Sequence, residues 1–181
     1  MRQVNLEEIR KKAEDVLKAY VLLPESISKK NGCMGGYLTV KNADGGTIEA
    51  IYRIGFVPYQ KDEEKCLVAS LEVANQLFET RKTEIKKLTS WNNKNETRKY
   101  VGTAVFFDTC DAYERHILSF AGLPELANEA CMFILKALMS QSKETTALVA
   151  STIKHLVYFE NTERPGQEIF NALAEYFEIK M

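Results

Sequence analysis

Apolar residues recur at helical spacing in four stretches of the chain. Between residues 5 and 20 they form a single stripe, and Asn5 just before it is a typical N-cap residue. The same spacing predicts a second helix over residues 62–81 and a third from Pro124 to about residue 140, with proline in its first turn. A fourth helix is predicted over residues 167–178. Each apolar stripe requires a surface on which it can pack.

Two pairs of strands are predicted between these helices. Residues 36–41 and 47–53 are rich in β-branched and aromatic side chains, and the Asn-Ala-Asp-Gly-Gly segment between them favours a tight turn. Residues 100–107 and 112–120 form a second pair around a four-residue turn. Strands joined in this way pair antiparallel, and helices can cover one face of their sheet. The sequence therefore predicts an α+β fold, with one antiparallel sheet built from two hairpins and helices packed on one face.

The order of these elements indicates one domain with an extension. A chain of 181 residues can bury a single core, and residues 1–142 contain both strand pairs and the first three helices. Residues 143–181 are expected to be a helical C-terminal extension packed on the same domain. Within it, residues 147–159 can form a helix or, in their second half, a strand.

Composition and charge exclude several classes of protein. The 24 basic side chains are balanced by 25 acidic ones, so the chain lacks the positive field that gathers nucleic acid or anionic lipid. It contains no run of eighteen apolar residues and no apolar N-terminal segment of the signal-peptide kind. No membrane contact is expected, and the predicted location is cytoplasmic. The cysteines lack metal-ligand spacing and are predicted to be reduced thiols: Cys33, Cys66, Cys110 and Cys131.

One segment departs from this charge balance. Residues 79–99 contain seven basic side chains and three acidic ones, with Trp91 inside the segment and Tyr100 next to it. Such a segment can hold single-stranded nucleic acid through phosphate contacts and stacking, but a solvated loop is the alternative, and the balanced net charge favours it. A nucleic-acid partner is therefore not expected. The basic residues are Arg81, Lys82, Lys86, Lys87, Lys94, Arg98 and Lys99.

The segment KYVGTAVFFDTCDAYERHILSFAGLPELANEA, residues 99–130, resembles the C-terminal half of the GlcG-like haem-binding family. The run Ile117–Gly122 matches the end of the family's strand, and the acidic start of the following helix matches as well. Upstream, Asp44-Gly45-Gly46 resembles the turn between the family's first two strands, and residues 62–81 fall where the family carries its central helix. The resemblance covers about residues 5–140. It implies a profilin-like fold and a module that binds a small molecule such as haem.

A ligand site is predicted around the turn that joins the last strand to its helix. Glycine there lets a ligand or another backbone approach closely, and the N-terminus of the helix favours an anionic group. His116, at the edge of an apolar strand face, can serve as a haem axial ligand; the alternative is a half-buried histidine satisfied by a neighbour. The predicted ligand-binding residues are His116, Ser119, Gly122, Leu123 and Glu125.

No catalytic or metal-binding motif is present. The chain lacks a P-loop, a Rossmann fingerprint, a nucleophile elbow and an HExxH sequence, and nearby carboxylates disfavour a reactive Cys110 thiolate. We therefore expect a non-catalytic module that binds a small hydrophobic or planar ligand, with haem as a candidate cofactor. The second hypothesis is a homo-oligomeric interaction module that uses apolar side chains of the second strand pair: Tyr100, Val105, Phe107, Tyr113 and Ile117. The third is an enzyme whose pocket combines residues that are distant in the sequence.

Overall fold

A computed structural model describes residues 5–28, 30, 32–57, 60–81, 103–105, 116–139 and 165–179. Within them the elements, in chain order, are α1 (Leu6–Leu22), α2 (Glu25–Ser28), β1 (Met34–Asn42), β2 (Ile48–Phe56), α3 (Gln60–Arg81), β3 (Thr103–Val105), β4 (His116–Ala121), α4 (Glu125–Met139) and α5 (Pro165–Tyr176). The strands form one antiparallel sheet in the order β2-β1-β4-β3. The α+β prediction is confirmed. The predicted element over residues 147–159 and the remainder of the second strand pair lie outside the described residues.

Helix α1 begins and ends with side chains that satisfy its free backbone groups. The side-chain oxygen of Asn5 accepts from the backbone N–H groups of Glu7 and Glu8, at 3.1 and 3.3 Å, which confirms the predicted N-cap. At the other end, the Lys30 ammonium donates to the carbonyls of Val21 and Leu23, at 2.6 and 2.9 Å. A cation at a helix C-terminus also compensates the macrodipole. The predicted apolar stripe is buried: Ile9, Ala13, Val16, Leu17 and Tyr20.

The sheet is covered on both faces. One face joins α1, α4 and α5 in a large apolar core, to which the sheet contributes Leu38, Val40, Ile54, Leu118 and Phe120. The intervening residue Ile117 packs in a smaller core with Val73, Ala74 and Leu77 of α3. Because successive strand side chains point to opposite faces, α3 lies on the face opposite the other helices. The structure differs here from the expectation of helices on one face, and β4 is accordingly buried at every position.

The C-terminal helix α5 belongs to the large core. Its buried residues Ile169, Phe170, Leu173 and Ala174 pack in the same cluster as α1 and α4. In the described part of the chain, no helix is both long and apolar enough to cross a membrane.

The junction between β4 and α4 is closed by backbone packing and one asparagine. Gly122 has φ of +142°, and a Cβ atom there would overlap the Gly35 carbonyl oxygen and lie 2.5 Å from the Gly36 Cα. Asn128, in the first turn of α4, donates to the Leu123 carbonyl at 2.9 Å and accepts from the Leu123 N–H at 3.0 Å. The close approach that glycine permits is therefore taken up by the backbone of β1.

We expect Gly122→Ala to lower the free energy of unfolding by more than about 2 kcal/mol, because the new methyl group combines a strained φ with a backbone overlap. The matched control is Gly45→Ala, since a Cβ atom there would meet its nearest neighbour at 3.6 Å and no positive φ is involved. That control should change stability by less than about 1 kcal/mol. Urea denaturation of both variants measures the difference, and equal effects would contradict this account of the junction.

Candidate functional site

Three polar side chains meet at one end of the sheet. Asn42 ends β1, His116 begins β4, and the two are register partners on adjacent strands. Glu49 follows the first residue of β2. The β1–β2 register shifts so that Ala50 and Ile48 face consecutive residues of β1, and Glu49 has no partner residue on that strand. A β-bulge of this kind re-aims a side chain, which here reaches the other two residues.

The carboxylate of Glu49 joins the three residues. One of its oxygens lies 2.7 Å from His116 Nε2, and the other accepts from the Asn42 side-chain amide at 2.8 Å. The side-chain oxygen of Asn42 accepts in turn from the backbone N–H groups of Asp44 and Gly45, at 2.8 and 2.9 Å. The hairpin turn therefore orients Asn42, which helps to hold Glu49 against His116. The His116 side chain is 6% exposed and that of Glu49 is 28% exposed, so the cluster reaches solvent through the carboxylate.

The hydrogen bond to Glu49 determines how His116 presents its other nitrogen. An ionised carboxylate can only accept hydrogen bonds, so Nε2 carries the proton and donates the hydrogen bond to Glu49. Nδ1 is buried and has no hydrogen-bond partner in the part of the chain that the structure describes. In the neutral ring this atom is a lone-pair donor held in a fixed orientation. It can accept a hydrogen bond from a ligand or coordinate a metal centre.

A conventional metal site is not formed by the described residues. Among them, no group of three or more His, Cys, Asp or Glu side chains could hold a metal ion. In this part of the protein, His116 could therefore contribute to a metal centre only as a single ligand, as it would toward an iron already held in a macrocycle.

The other predicted ligand residues are not brought together with His116. Gly122 follows the opposite end of β4, and six residues at roughly 3.3 Å each separate the two positions by about 20 Å. Ser119 lies on the α3 face, because it follows Ile117 by two positions and Ile117 packs against α3, whereas His116 lies on the other face of β4. Leu123 is buried in the large core. Glu125 begins α4, and only its backbone is among the described atoms.

The basic segment cannot be placed beside this site. Arg81 is the last residue of α3, and only its backbone is described. The remaining basic residues of the segment lie outside the described residues: Lys82, Lys86, Lys87, Lys94, Arg98 and Lys99.

The described cysteines are poor nucleophiles. Burial raises the pKa of Cys33 and of Cys66, and the neighbouring Asp62 carboxylate raises both further. Cys131 is fully buried in the large core, and that burial raises its pKa strongly. Because the thiolate is the reactive form, these thiols are disfavoured as attacking groups. Cys110 lies outside the described residues.

Comparison with known proteins adds no relative. No protein-family model, no curated protein and no solved structure matches this chain. The resemblance to the GlcG-like family and the profilin-like fold therefore stay predictions.

We expect ¹⁵N NMR to find His116 in the Nε2–H tautomer, with Nδ1 unprotonated. Glu49→Gln removes the charge-assisted acceptor and should lower the free energy of unfolding by about 1.5 kcal/mol, with partial conversion to the Nδ1–H tautomer. Glu72→Gln, at an exposed position of α3, is the control and should change neither quantity. A wild-type ring in the Nδ1–H form, or a tautomer and stability insensitive to Glu49→Gln, would show that this pair does not orient the ring.

Proposed function

We propose that the protein is a non-catalytic module that binds a small planar or hydrophobic molecule at His116. One observation carries the proposal: the buried Nδ1 atom has no hydrogen-bond partner among the described residues, while Glu49 holds Nε2 at 2.7 Å. Buried polar atoms in folded proteins are nearly always satisfied, so this nitrogen calls for a donor or a metal centre from outside the described residues. An imidazole oriented by a carboxylate is also how proteins commonly present a nitrogen to a metal.

The surroundings of the ring favour binding over catalysis. Nucleophilic catalysis needs a hydroxyl or thiol within hydrogen-bond reach of the base, and among the described residues the polar partner of the His116 ring is Glu49. Ser119, the nearest hydroxyl along β4, lies on the other face of the sheet. The described thiols have raised pKa values. None of these groups forms a nucleophile–base pair with His116.

Haem would use the Nδ1 nitrogen of His116, but its binding also requires access to a buried ring. Iron in a macrocycle needs a single axial nitrogen, and Nδ1 is the ring atom that Glu49 leaves for it. Because the His116 side chain is only 6% exposed, a ligand reaches Nδ1 only if the residues around the ring move. We therefore expect slow association. A planar molecule with an N–H or O–H donor meets the same hydrogen-bonding requirement without a metal.

A haemin titration followed by absorbance tests the proposal. The wild type should show a saturable Soret shift at one equivalent, and His116→Ala should abolish it because the axial nitrogen is lost. Glu49→Gln should weaken binding by about tenfold, since it removes the carboxylate that orients the ring. His155→Ala, which removes the other histidine of the chain, is the control and should bind as the wild type does.

The other outcomes separate the parts of the proposal. A shift that survives His116→Ala contradicts the role of this residue. The absence of any saturable change excludes haem as the ligand, and the tautomer and stability of the Glu49 variant then report on the cluster without haem. Circular dichroism of His116→Ala establishes that the variant is folded before either conclusion is drawn.

A second candidate function is homo-oligomerisation through β2. This strand ends the described sheet, and it exposes Ile51 by 42% and Phe56 by 55%. An exposed strand edge with apolar side chains is a template for pairing with a second chain. The surface first predicted on the second strand pair is not supported at Ile117, which is fully buried beneath α3. Of its other members, Val105 is described by its backbone alone, and Tyr100, Phe107 and Tyr113 lie outside the described residues.

Sedimentation equilibrium over a range of concentrations tests this candidate. If β2 pairs with β2 of a second copy, the wild type should dimerise and Ile51→Lys should weaken the dimer by at least about tenfold, because it places a charge at the strand edge. Val68→Lys is the control, since Val68 is 50% exposed but belongs to α3 and not to β2. A protein that is monomeric throughout, or a dimer weakened equally by both substitutions, would exclude pairing through β2.

A further inference from the structure

Hydroxyl groups line the contact between the sheet and α3. Thr39 Oγ1 lies 2.9 Å from Ser70 Oγ, and Ser70 donates its hydroxyl proton to the Leu67 carbonyl at 2.9 Å. A serine hydroxyl has one proton to donate, so Thr39 is the donor in the bond to Ser70. The lone pairs of the Thr39 oxygen therefore still have room for an incoming hydrogen bond.

A third hydroxyl lies opposite this pair. Ser119 is the register partner of Thr39 on β4, so their side chains point to the same face of the sheet. Ser119 is fully buried, and its Oγ atom has no hydrogen-bond partner among the described residues. Cβ atoms of directly paired residues lie roughly 4.5–5.5 Å apart, a separation that two hydrogen bonds through one oxygen atom can span.

We propose that the hydroxyl seam formed by Thr39, Ser70 and Ser119 between the sheet and α3 binds one water molecule. The water is held between Ser119 and Thr39. The water accepts a hydrogen bond from the Ser119 hydroxyl and donates one to Thr39 Oγ1. Buried waters are held by two to four polar groups, and Ser70 stands within the same cluster as a third. The bound water completes the hydrogen bonding of Ser119, which no described side chain does.

The site is independent of the His116 cluster. Ser119 and His116 point to opposite faces of β4, and the water touches neither Glu49 nor Asn42. It belongs to the attachment of α3, which also includes a hydrogen bond of 2.8 Å from the buried Lys41 ammonium to Asn75 and a contact of Lys41 with the Phe78 ring. Water in this seam would add a further polar contact between α3 and the sheet, beside the small apolar core that Ile117 forms with Val73, Ala74 and Leu77.

The direction of the stability change in Ser119→Ala tests the proposal. If the water is present, the substitution removes one of its partners, and the folding equilibrium constant should fall by about fivefold to tenfold. If the seam is dry, the substitution removes only an unsatisfied hydroxyl, and the constant should stay level or rise. Ser26→Ala, at an exposed position of α2, is the control and should leave the constant unchanged.

A second measurement does not depend on stability. Water–protein cross-relaxation NMR on the wild type should show a long-lived water contact at Ser119 and Thr39, and this contact should be lost in Ser119→Ala. The absence of that contact in the wild type, or a folding constant that stays level or rises in Ser119→Ala, would overturn the proposal.

Discussion

The pairing of β1 with β4 is the constraint on which the rest of the structure depends. It joins residues 37–42 to residues 116–121, which lie far apart in the chain, in a single antiparallel register. The same register places Asn42 beside His116, Thr39 beside Ser119, and the start of β1 against the junction that follows β4. A slip of one residue would send every side chain of β4 to the opposite face. The apolar core, the histidine cluster and the hydroxyl seam therefore share one geometric origin.

That register separates two kinds of interface. Toward α1, α4 and α5 the central strands present Leu38, Val40, Leu118 and Phe120, so this face supplies apolar burial, the dominant favourable term in folding. Toward α3 the same strands present threonine, lysine and serine among fewer apolar residues. Polar groups at a buried interface contribute little net stability and are costly when unsatisfied. The protein thus places its chemically distinctive side chains on the α3 face and at the end of the sheet.

The sequence predicts the helices well because their apolar stripes continue over several turns, as in α1, where the N-cap and the buried positions are both confirmed. It predicts the β4–α4 turn from Gly122 and Pro124, but it does not reveal that β1 occupies the space glycine leaves. A strand covered on both faces loses its two-residue alternation, so HILSFA does not indicate that α3 covers its second face. The partner of His116 depends on the bulge at Glu49, and nothing in the local pattern marks that position.

His116 Nδ1 and Ser119 Oγ are both buried without a hydrogen-bond partner among the described residues, and their surroundings favour different occupants. Around Ser119, the hydroxyls of Thr39 and Ser70 can serve as additional hydrogen-bond partners of a water that Ser119 binds. Around His116 Nδ1 the described polar groups are already engaged: Glu49 by the ring and by the Asn42 amide, and the Asn42 oxygen by the hairpin turn. A water there would have few partners in the described part of the protein, whereas a larger molecule brings its own contacts. This difference supports placing the proposed ligand at His116 and not at Ser119.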